Sequence, residues 1–290
     1  MNNKNNEIDK KKQASLVFSS YLDTLGYNNG KWEFNFNNDI NNLLSSLLIQ
    51  ESIISNFFSN GGFNINTKSL LSSDDTIMII ATKKACQNGA KIENFINEYL
   101  KILPELENDK RGSGVTTLKN LKLLKKYKSL DKIKYNSKDG GNGAAMRTSY
   151  IGLNFYKEEN LDKLIELSIQ SSRLTHNYPM GFLGGLVTAL FSSYALRNID
   201  PLKWCDLLLE LEDSGKIDQF MKTTNIFKNY LKDKNYFWDN WRKYREFRIK
   251  YFFEINKPSQ FSFSQERYVN LLNYTPGVRL KDKKTMKELK

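Results

Sequence analysis

Apolar residues that recur at helical spacing are the feature that most constrains how this chain of 290 residues folds. Leucine, isoleucine and alanine return at intervals of three and four residues in four segments, which begin at Leu43, Ile77, Leu118 and Leu161. Such intervals place the apolar side chains on one face of an amphipathic helix. Sustained alternation of apolar and polar residues, which would indicate strands, is hard to find. The pattern predicts a mostly helical chain that forms a single domain.

The charge balance is basic, with a net charge of +12 at pH 7. The lysines are dispersed along the whole chain, which favours a solvated surface over a nucleic-acid groove, although the positive field should attract an anionic substrate. Residues 222–257 interleave aromatic and basic side chains. We interpret this segment as a helix with its aromatic residues inward, and stacking on nucleic acid is the alternative. We therefore expect no nucleic-acid partner.

The two cysteines, Cys86 and Cys205, have no metal-ligand spacing and make no disulfide framework. Buried free thiols in a reducing compartment are the simplest interpretation, so a cytoplasmic location is expected. The longest uncharged apolar stretch, Met180 to Leu196, is a little short for a membrane span and rich in Gly and Ser. It is predicted to be a buried core helix, with no membrane partner.

Two adjacent carboxylates, Asp74 and Asp75, stand where an apolar segment begins. Ser73 before them is typical of a helix N-cap, and the N-terminus of a helix tolerates negative charge. The pair can be a doubled cap. It can also be part of a site for a hard cation such as Mg²⁺, which would relieve the repulsion between the two carboxylates.

A glycine-rich segment, Gly140 to Gly143, precedes a second apolar run that is predicted to be helical, Ala144 to Leu153. Backbone N–H groups that lead into a helix can bind an anion such as a diphosphate, and glycines let a ligand approach closely. A plain glycine-rich turn is the alternative. The only histidine, His176, is by itself most often a hydrogen-bonded structural residue.

Together these segments resemble one family. The first segment, Leu22 to Phe34, contains Gly-Lys-Trp-Glu-Phe, and the Asp74-Asp75 pair follows it. The next segment, Gly140 to Arg147, ends in Gly-Ala-Ala-Met-Arg. Ser172 to Gly181 follows with Thr-His-Asn-Tyr-Pro. Their order and spacing resemble the ADP-ribosylglycohydrolases, and the ADP-ribosylarginine hydrolase branch in particular. The resemblance covers about Ala14 to Gly277, and it implies an all-α fold.

The resemblance also implies an activity: hydrolysis of the N-glycosidic bond that joins ADP-ribose to an arginine side chain of a protein. Two Mg²⁺ ions would assist, and the partners would be ADP-ribose and mono-ADP-ribosylated proteins bound by a monomer. The residues that match the family's functional positions are then expected to face one cleft. They are Glu33, Asp74 and Asp75 as catalytic residues; Ser73, Asp74 and Asp75 as metal ligands; Ser137, Gly140, Gly141 and Gly143 as phosphate contacts; Met146 near the ribose; and His176 near the ribose or the metal-bound water.

The chain departs from the family pattern at two places. Leu22 stands where the family has a glycine before the aspartate that Asp23 matches, and Asp-x-Asp, the second acidic cluster of the family, occurs nowhere in the chain. Residues 1–13 are rich in Asn and Lys, and this composition predicts disorder. The resemblance implies that 14–277 form a compact all-α bundle of the family type that lacks its C-terminal part, and we expect 278–290 to be a basic tail. Either the chain is an arginine-specific hydrolase with a weakened metal site, or it is an inactive, truncated member that binds ADP-ribose or acts structurally.

Overall fold

The computed structural model of the protein describes residues 2–31, 43–59, 61–246 and 249. In these residues the chain forms eleven α-helices joined by short 3₁₀ turns and loops, and no strand is present. The all-α expectation is confirmed. The helices are α1 (Asn2–Tyr27), α2 (Leu43–Ser59), α3 (Asp74–Gln87), α4 (Ile92–Leu106), α5 (Val115–Tyr127), α6 (Ser149–Asn154), α7 (Leu161–Arg173), α8 (Pro179–Leu196), α9 (Trp204–Asp213), α10 (Lys216–Met221) and α11 (Phe227–Tyr244).

Helix α8 is the centre of the bundle, and α6, α7 and α11 pack against it. It carries no charged residue and is apolar around most of its circumference, so it can only be stable where neighbours surround it. The predicted core helix is thereby confirmed. Glycines allow the neighbours to come close: a Cβ added at Gly152 of α6 would lie 1.9 Å from the backbone oxygen of Ala189.

Helix α8 is also the single described helix that is long and apolar enough to cross a membrane, and 67% of it is buried inside the protein. A core helix satisfies the same criteria, so this observation is weak evidence for a membrane span.

Two further predictions, for residues 1–13 and for residues 222–257, can be compared with the structure. Residues 2–13 form the first half of α1, whereas their polar composition predicts disorder. Ile8 and Leu16 pack on the core and Lys11 pairs with Glu7 one turn earlier, and these contacts outweigh the polar composition. In α11, Tyr230, Phe237 and Trp238 are buried as expected for an amphipathic helix, while residues 250–257 lie outside the described residues.

The second predicted helical run is interrupted. Ala145–Arg147 is a 3₁₀ turn, and α6 begins only at Ser149. The tighter turn coincides with the point at which Arg147 is drawn into the interior, as described below.

Replacing Gly152 by alanine is expected to destabilise the fold by about 3 kcal/mol or more, because its Cβ would overlap the backbone of α8, which cannot move aside as a side chain does. Gly184→Ala on α8 is the matched control, since its Cβ would lie an ordinary 3.7 Å from Ala145. That variant should stay within about 1 kcal/mol of the parent. Urea unfolding measures both, and equal midpoints for the two variants would contradict the packing described here.

Candidate functional site

The N-terminus of α3 is held by a carboxylate from α1. Ser73 caps the helix by accepting a hydrogen bond from the Asp75 N–H at 3.1 Å. Asp23 in turn accepts from the Ser73 N–H at 3.0 Å, the Ser73 hydroxyl at 2.6 Å and the Thr76 hydroxyl at 2.5 Å. Three donors converge on one carboxylate, which fixes the direction in which α3 leaves the preceding loop.

The predicted carboxylate pair forms the first turn of α3. Asp74 is buried, with 7% of its surface exposed, and Asp75 is half-buried. The unpaired N–H groups and the dipole at a helix N-terminus favour negative charge at this position. Within the part of the chain that the structure describes, no three His, Cys, Asp or Glu side chains come together as a metal cluster.

The turn after α1 is fastened to the segment before α3. Asn29 accepts from the Leu71 N–H at 2.7 Å and donates to the Ser69 carbonyl at 3.2 Å. Arg111 donates to the Ser72 carbonyl at 2.8 Å from the opposite side. Glu33, expected on the loop that follows this turn, lies outside the described residues.

The glycine loop is shaped by the His176 ring. A Cβ at Gly143 would lie 2.6 Å from His176 Cε1 and 2.9 Å from the Thr117 hydroxyl, and a Cβ at Gly141 would lie 3.5 Å from His176 Nε2. The imidazole edge that carries Nε2 therefore lies directly against the loop. At Gly140 the neighbour is the Tyr178 ring, at 3.3 Å from an added Cβ. Only glycine at 143 permits this close approach.

The backbone N–H groups of this loop are free to bind a ligand. Across the described residues, none of the N–H groups of residues 140–144 donates a hydrogen bond within the protein. The tip of the loop, at Gly141 and Asn142, is exposed to solvent. Ala144 is fully buried, so the accessible amides are those of residues 140–143. A run of successive unpaired amides of this kind can bind an anion.

Buried amide groups attach the loop to the turn after α7. Asn120 of α5 donates to Asp139 at 3.1 Å and to the Thr175 carbonyl at 2.5 Å. Asp139 accepts a second bond from Asn136 at 2.9 Å, and the Asn136 N–H donates to the Asn177 carbonyl at 3.3 Å. Because these groups are buried and satisfied, the glycine loop and the His176 turn form one rigid unit.

A fully buried arginine lies beneath this unit. The Arg147 guanidinium donates to the Tyr99 hydroxyl at 3.2 Å, to the Gly143 carbonyl, to the Ser171 carbonyl at 2.9 Å and to the Thr175 hydroxyl at 2.7 Å. The guanidinium carbon, Arg147 Cζ, also lies 5.0 Å from the centre of the Tyr99 ring, which is a cation–π distance. One side chain thus contacts four separate segments of the site.

His176 is buried and neutral. Its Nδ1 lies 2.8 Å from the Thr175 hydroxyl. Burial, and secondarily the positive charge of Arg147, lower the pKa of His176 to about 3. The side chain is therefore an uncharged hydrogen-bonding group at neutral pH.

The two halves of the predicted site are linked through α3. Thr82 of this helix lies 2.8 Å from the Tyr99 hydroxyl that also binds Arg147. Asp74 stands eight residues before Thr82, about 12 Å along the helix axis. That span suits an extended ligand, and convergence of the carboxylates with the His176 turn in one cleft stays a prediction.

The other predicted contacts are placed as follows. Ser137 is exposed at the start of the glycine loop, and Met146 is half-buried against the core. A groove of about 620 Å³ adjoins the loop and is rich in lysine, so it adds positive potential beside the free amides. Its walls are formed by Lys119, Asn120, Leu123, Tyr127, Lys132, Lys134, Tyr135, Asn136 and Asp139.

Sequence reasoning did not find the residues that organise the site. Asp23 was matched to the family motif without a role, and Asn120, Thr175 and the buried position of Arg147 were not anticipated. A usable signal existed for Arg147, because it is the single charge within the otherwise apolar run Ala144 to Leu153. The two cysteines are buried as expected, and burial raises the pKa of Cys86 to about 12 and that of Cys205 to about 11.

A model of the ADP-ribosylglycohydrolase family matches residues 23–249, which include the α3 carboxylates, the glycine loop and His176. The chain belongs to the ADP-ribosylglycohydrolase family. A protein of Dictyostelium discoideum named ADP-ribosylhydrolase ARH1 is 35% identical over 256 residues, which cover 81% of this chain and 62% of that protein. The resemblance inferred from the sequence is confirmed.

A second relative comes from Acanthamoeba polyphaga mimivirus, and its name contains ADP-ribosyl glycohydrolase L444. It is 36% identical over 242 residues, which cover 79% of this chain and 46% of the relative. The chain thus spans between about half and two thirds of the length of these two ADP-ribosylglycohydrolase relatives.

Removal of the Asp23 carboxylate is expected to loosen the start of α3. The side-chain amide that Asp23→Asn introduces has one oxygen that accepts and an NH₂ group that can only donate. At least one of the groups that now donate to Asp23, on Ser73 or Thr76, would therefore lose its acceptor. We expect a loss of about 1–3 kcal/mol in the free energy of unfolding, measured in urea. Asp162→Asn, at a side chain that is 86% exposed, is the control and should change little. Equal stability of the two variants would contradict the clamp.

His176 should make the stability of this protein depend on pH. Its pKa is about 3 in the fold and near 6.5 when unfolded, so between these values the unfolded chain binds more protons. The histidine therefore lowers stability as the pH falls from 6.5 towards 3, by up to about 1.4 kcal/mol per pH unit.

The matched comparison is His176→Gln, which cannot bind a proton but retains a polar side chain. Both proteins contain the same carboxylates, so the difference between their urea midpoints from pH 7.5 to 4.5 isolates the histidine. Parallel pH curves for the two proteins would show that His176 titrates normally.

Proposed function

We propose that this chain is a hydrolase that removes ADP-ribose from ADP-ribosylated arginine side chains by Mg²⁺-assisted cleavage of the N-glycosidic bond. Family membership supports action on an ADP-ribose linkage, and the name of the Dictyostelium relative agrees with it. Arginine as the acceptor rests on the sequence resemblance through Gly-Lys-Trp-Glu-Phe and Gly-Ala-Ala-Met-Arg. We also propose a cytoplasmic monomer that acts on mono-ADP-ribosylated proteins.

The observation that carries the proposal is the run of unpaired N–H groups over residues 140–143, held against a neutral histidine. A diphosphate needs several convergent donors, and these amides supply them at a place that only glycine can shape. In the proposed complex His176 adds a hydrogen bond without adding charge, and Met146 packs beside the adjoining ribose.

The N-terminus of α3 supplies some of the oxygen ligands that Mg²⁺ would need. Asp74 and Asp75 offer anionic oxygen ligands, the type that Mg²⁺ prefers. The Ser73 hydroxyl is already donating to Asp23 and accepting from Asp75, which leaves at most one lone pair for an ion. These donors fit part of one coordination shell, and the described residues hold no third acid for it. Bound there, Mg²⁺ would polarise a ribose hydroxyl and a water.

The protein's own groups have distinct roles in this proposal. The glycine loop and His176 hold the diphosphate and ribose, and Asp74 and Asp75, at the start of α3, hold the ribose end. Glu33, if it lies on the substrate side, would orient the attacking water or contact the departing guanidinium.

A second function is favoured by one specific observation. The chain lacks Asp-x-Asp, and the described residues provide only two neighbouring carboxylates for metal. The glycine loop presents its amides without any metal, so ADP-ribose binding can persist where turnover is lost. We therefore hold ADP-ribose binding without hydrolysis as the alternative, and we expect this 290-residue chain to bind Mg²⁺ weakly and to turn over slowly.

Replacing Asp74 or Asp75 by asparagine is expected to abolish release of ADP-ribose from ADP-ribosylated arginine, because a metal-ligand charge is lost while the side-chain shape is kept. The free energy of unfolding should change by no more than about 1 kcal/mol, since carboxylate repulsion is relieved as the dipole interaction is lost. Glu93→Gln in the first turn of α4 is the matched control and should leave release unchanged. Unchanged turnover in the double asparagine variant would show that the pair only caps α3.

Calorimetry with ADP-ribose, with and without Mg²⁺, and an assay for release of ADP-ribose from ADP-ribosylated arginine together separate the two functions. Binding that needs no Mg²⁺, together with measurable release, supports the hydrolase. Binding without release supports the alternative, and absence of binding rejects both.

A further inference from the structure

Arg147 is an unusual cation because it is fully buried and bound only by neutral groups. Four of its five N–H donors are used, and their acceptors are two hydroxyls and two backbone carbonyls. Among the described residues it forms no ion pair, although thirteen ion-pair contacts occur elsewhere in them. A buried charge without a counter-charge is costly, so a function other than packing is indicated.

The first consequence concerns the peptide between Gly143 and Ala144. Its carbonyl accepts from the Arg147 guanidinium and therefore points into the protein. The C=O and N–H of a planar trans peptide point in opposite directions. The Ala144 N–H is thereby turned away from the guanidinium, but Ala144 is fully buried, so the accessible unpaired amides are those of residues 140–143, whose loop the guanidinium anchors.

The second consequence concerns the tautomer of His176. The Thr175 hydroxyl accepts from Arg147 and lies 2.8 Å from His176 Nδ1. Thr175 is fully buried, so its own hydrogen needs an acceptor, and Nδ1 is the one within reach. Nδ1 is then unprotonated, and the remaining proton resides on Nε2, which lies against the glycine loop.

We infer that Arg147 is the positioning residue of the site: it anchors the glycine loop at the Gly143 carbonyl and, through Thr175, fixes His176 as the Nε2–H tautomer, so that His176 and the unpaired amides of residues 140–143 donate to the same bound anion. This inference rests on the proposed function, because the anion is taken to be the diphosphate of ADP-ribose. The negative charge of the bound ligand would then act as the counter-charge of Arg147, which has no ion-pair partner among the described residues.

The tautomer can be measured without any ligand. His176 is the only histidine, so a long-range ¹H–¹⁵N spectrum of the untagged full chain at pH 7 contains a single imidazole pattern. We expect the Nε2–H pattern in the parent protein. Thr175→Val, which keeps the shape but removes the hydroxyl, should give a mixture of tautomers, and Thr175→Ser should restore the parent pattern.

A merely structural role predicts a different result. It would lower the urea midpoint of Thr175→Val while leaving the His176 pattern unchanged. An Nδ1–H pattern in the parent, or an identical pattern in Thr175→Val, would overturn the inference.

ADP-ribose binding, measured by calorimetry, tests the second part. Thr175→Val should weaken binding about tenfold and Thr175→Ser should not, as expected for one hydrogen bond to a charged ligand. Arg147→Lys keeps the charge but loses the planar fork, and it should weaken binding about 100-fold. Parent-like affinity in both Thr175→Val and Arg147→Lys would reject the positioning role. Failure of the parent itself to bind ADP-ribose would reject the proposed function, while the tautomer result would still decide whether Arg147 and Thr175 orient His176.

Discussion

The arrangement of the candidate site depends on one buried guanidinium. Arg147 is bound by α4 through Tyr99, by the glycine loop through Gly143, and by the end of α7 and the following turn through Ser171 and Thr175. A lysine has three donors on a flexible stem and could not hold these directions at once. Since each acceptor belongs to a different segment, the position of Arg147 determines how the loop, the histidine turn and α4 sit relative to one another.

The carboxylate end of the site is organised independently of that cation. Asp23 of α1 accepts from Ser73 and Thr76 and so orients the first turn of α3. Helix α3 connects the carboxylate end to the Arg147 end, because Thr82 of α3 contacts the same Tyr99 hydroxyl as Arg147. A rigid helix with one end under Asp23 and a later turn beside Arg147 keeps the spacing between the ligand-binding amides and the carboxylates constant.

The parts of this structure that the sequence predicts are those determined by neighbouring residues. Ser73 caps α3 because a hydroxyl can reach an N–H two residues away, and α8 is buried because its own composition leaves no alternative. The Asp23 clamp joins residues 50 apart, and the segments that Arg147 joins are up to 48 residues away from it. No local pattern encodes such contacts. The helical residues 2–13 were missed for the same reason, since their stability comes from packing on the core rather than from composition.

The two halves of the candidate site, the glycine loop with His176 and the carboxylates of α3, differ in how complete their sets of ligand-binding groups are. The proposed anion-binding half is assembled from described residues alone: the unpaired amides of residues 140–143, a neutral imidazole and a buried cation. Hydrogen bonds from Asn120 and Arg147 hold the loop and the His176 turn in place. The carboxylate half contributes two acids on one helical turn, and Mg²⁺ gives up its water only for a fuller set of oxygen ligands. In the proposed function, binding of ADP-ribose and cleavage of its bond to arginine therefore depend on separate groups, so loss of cleavage need not entail loss of binding.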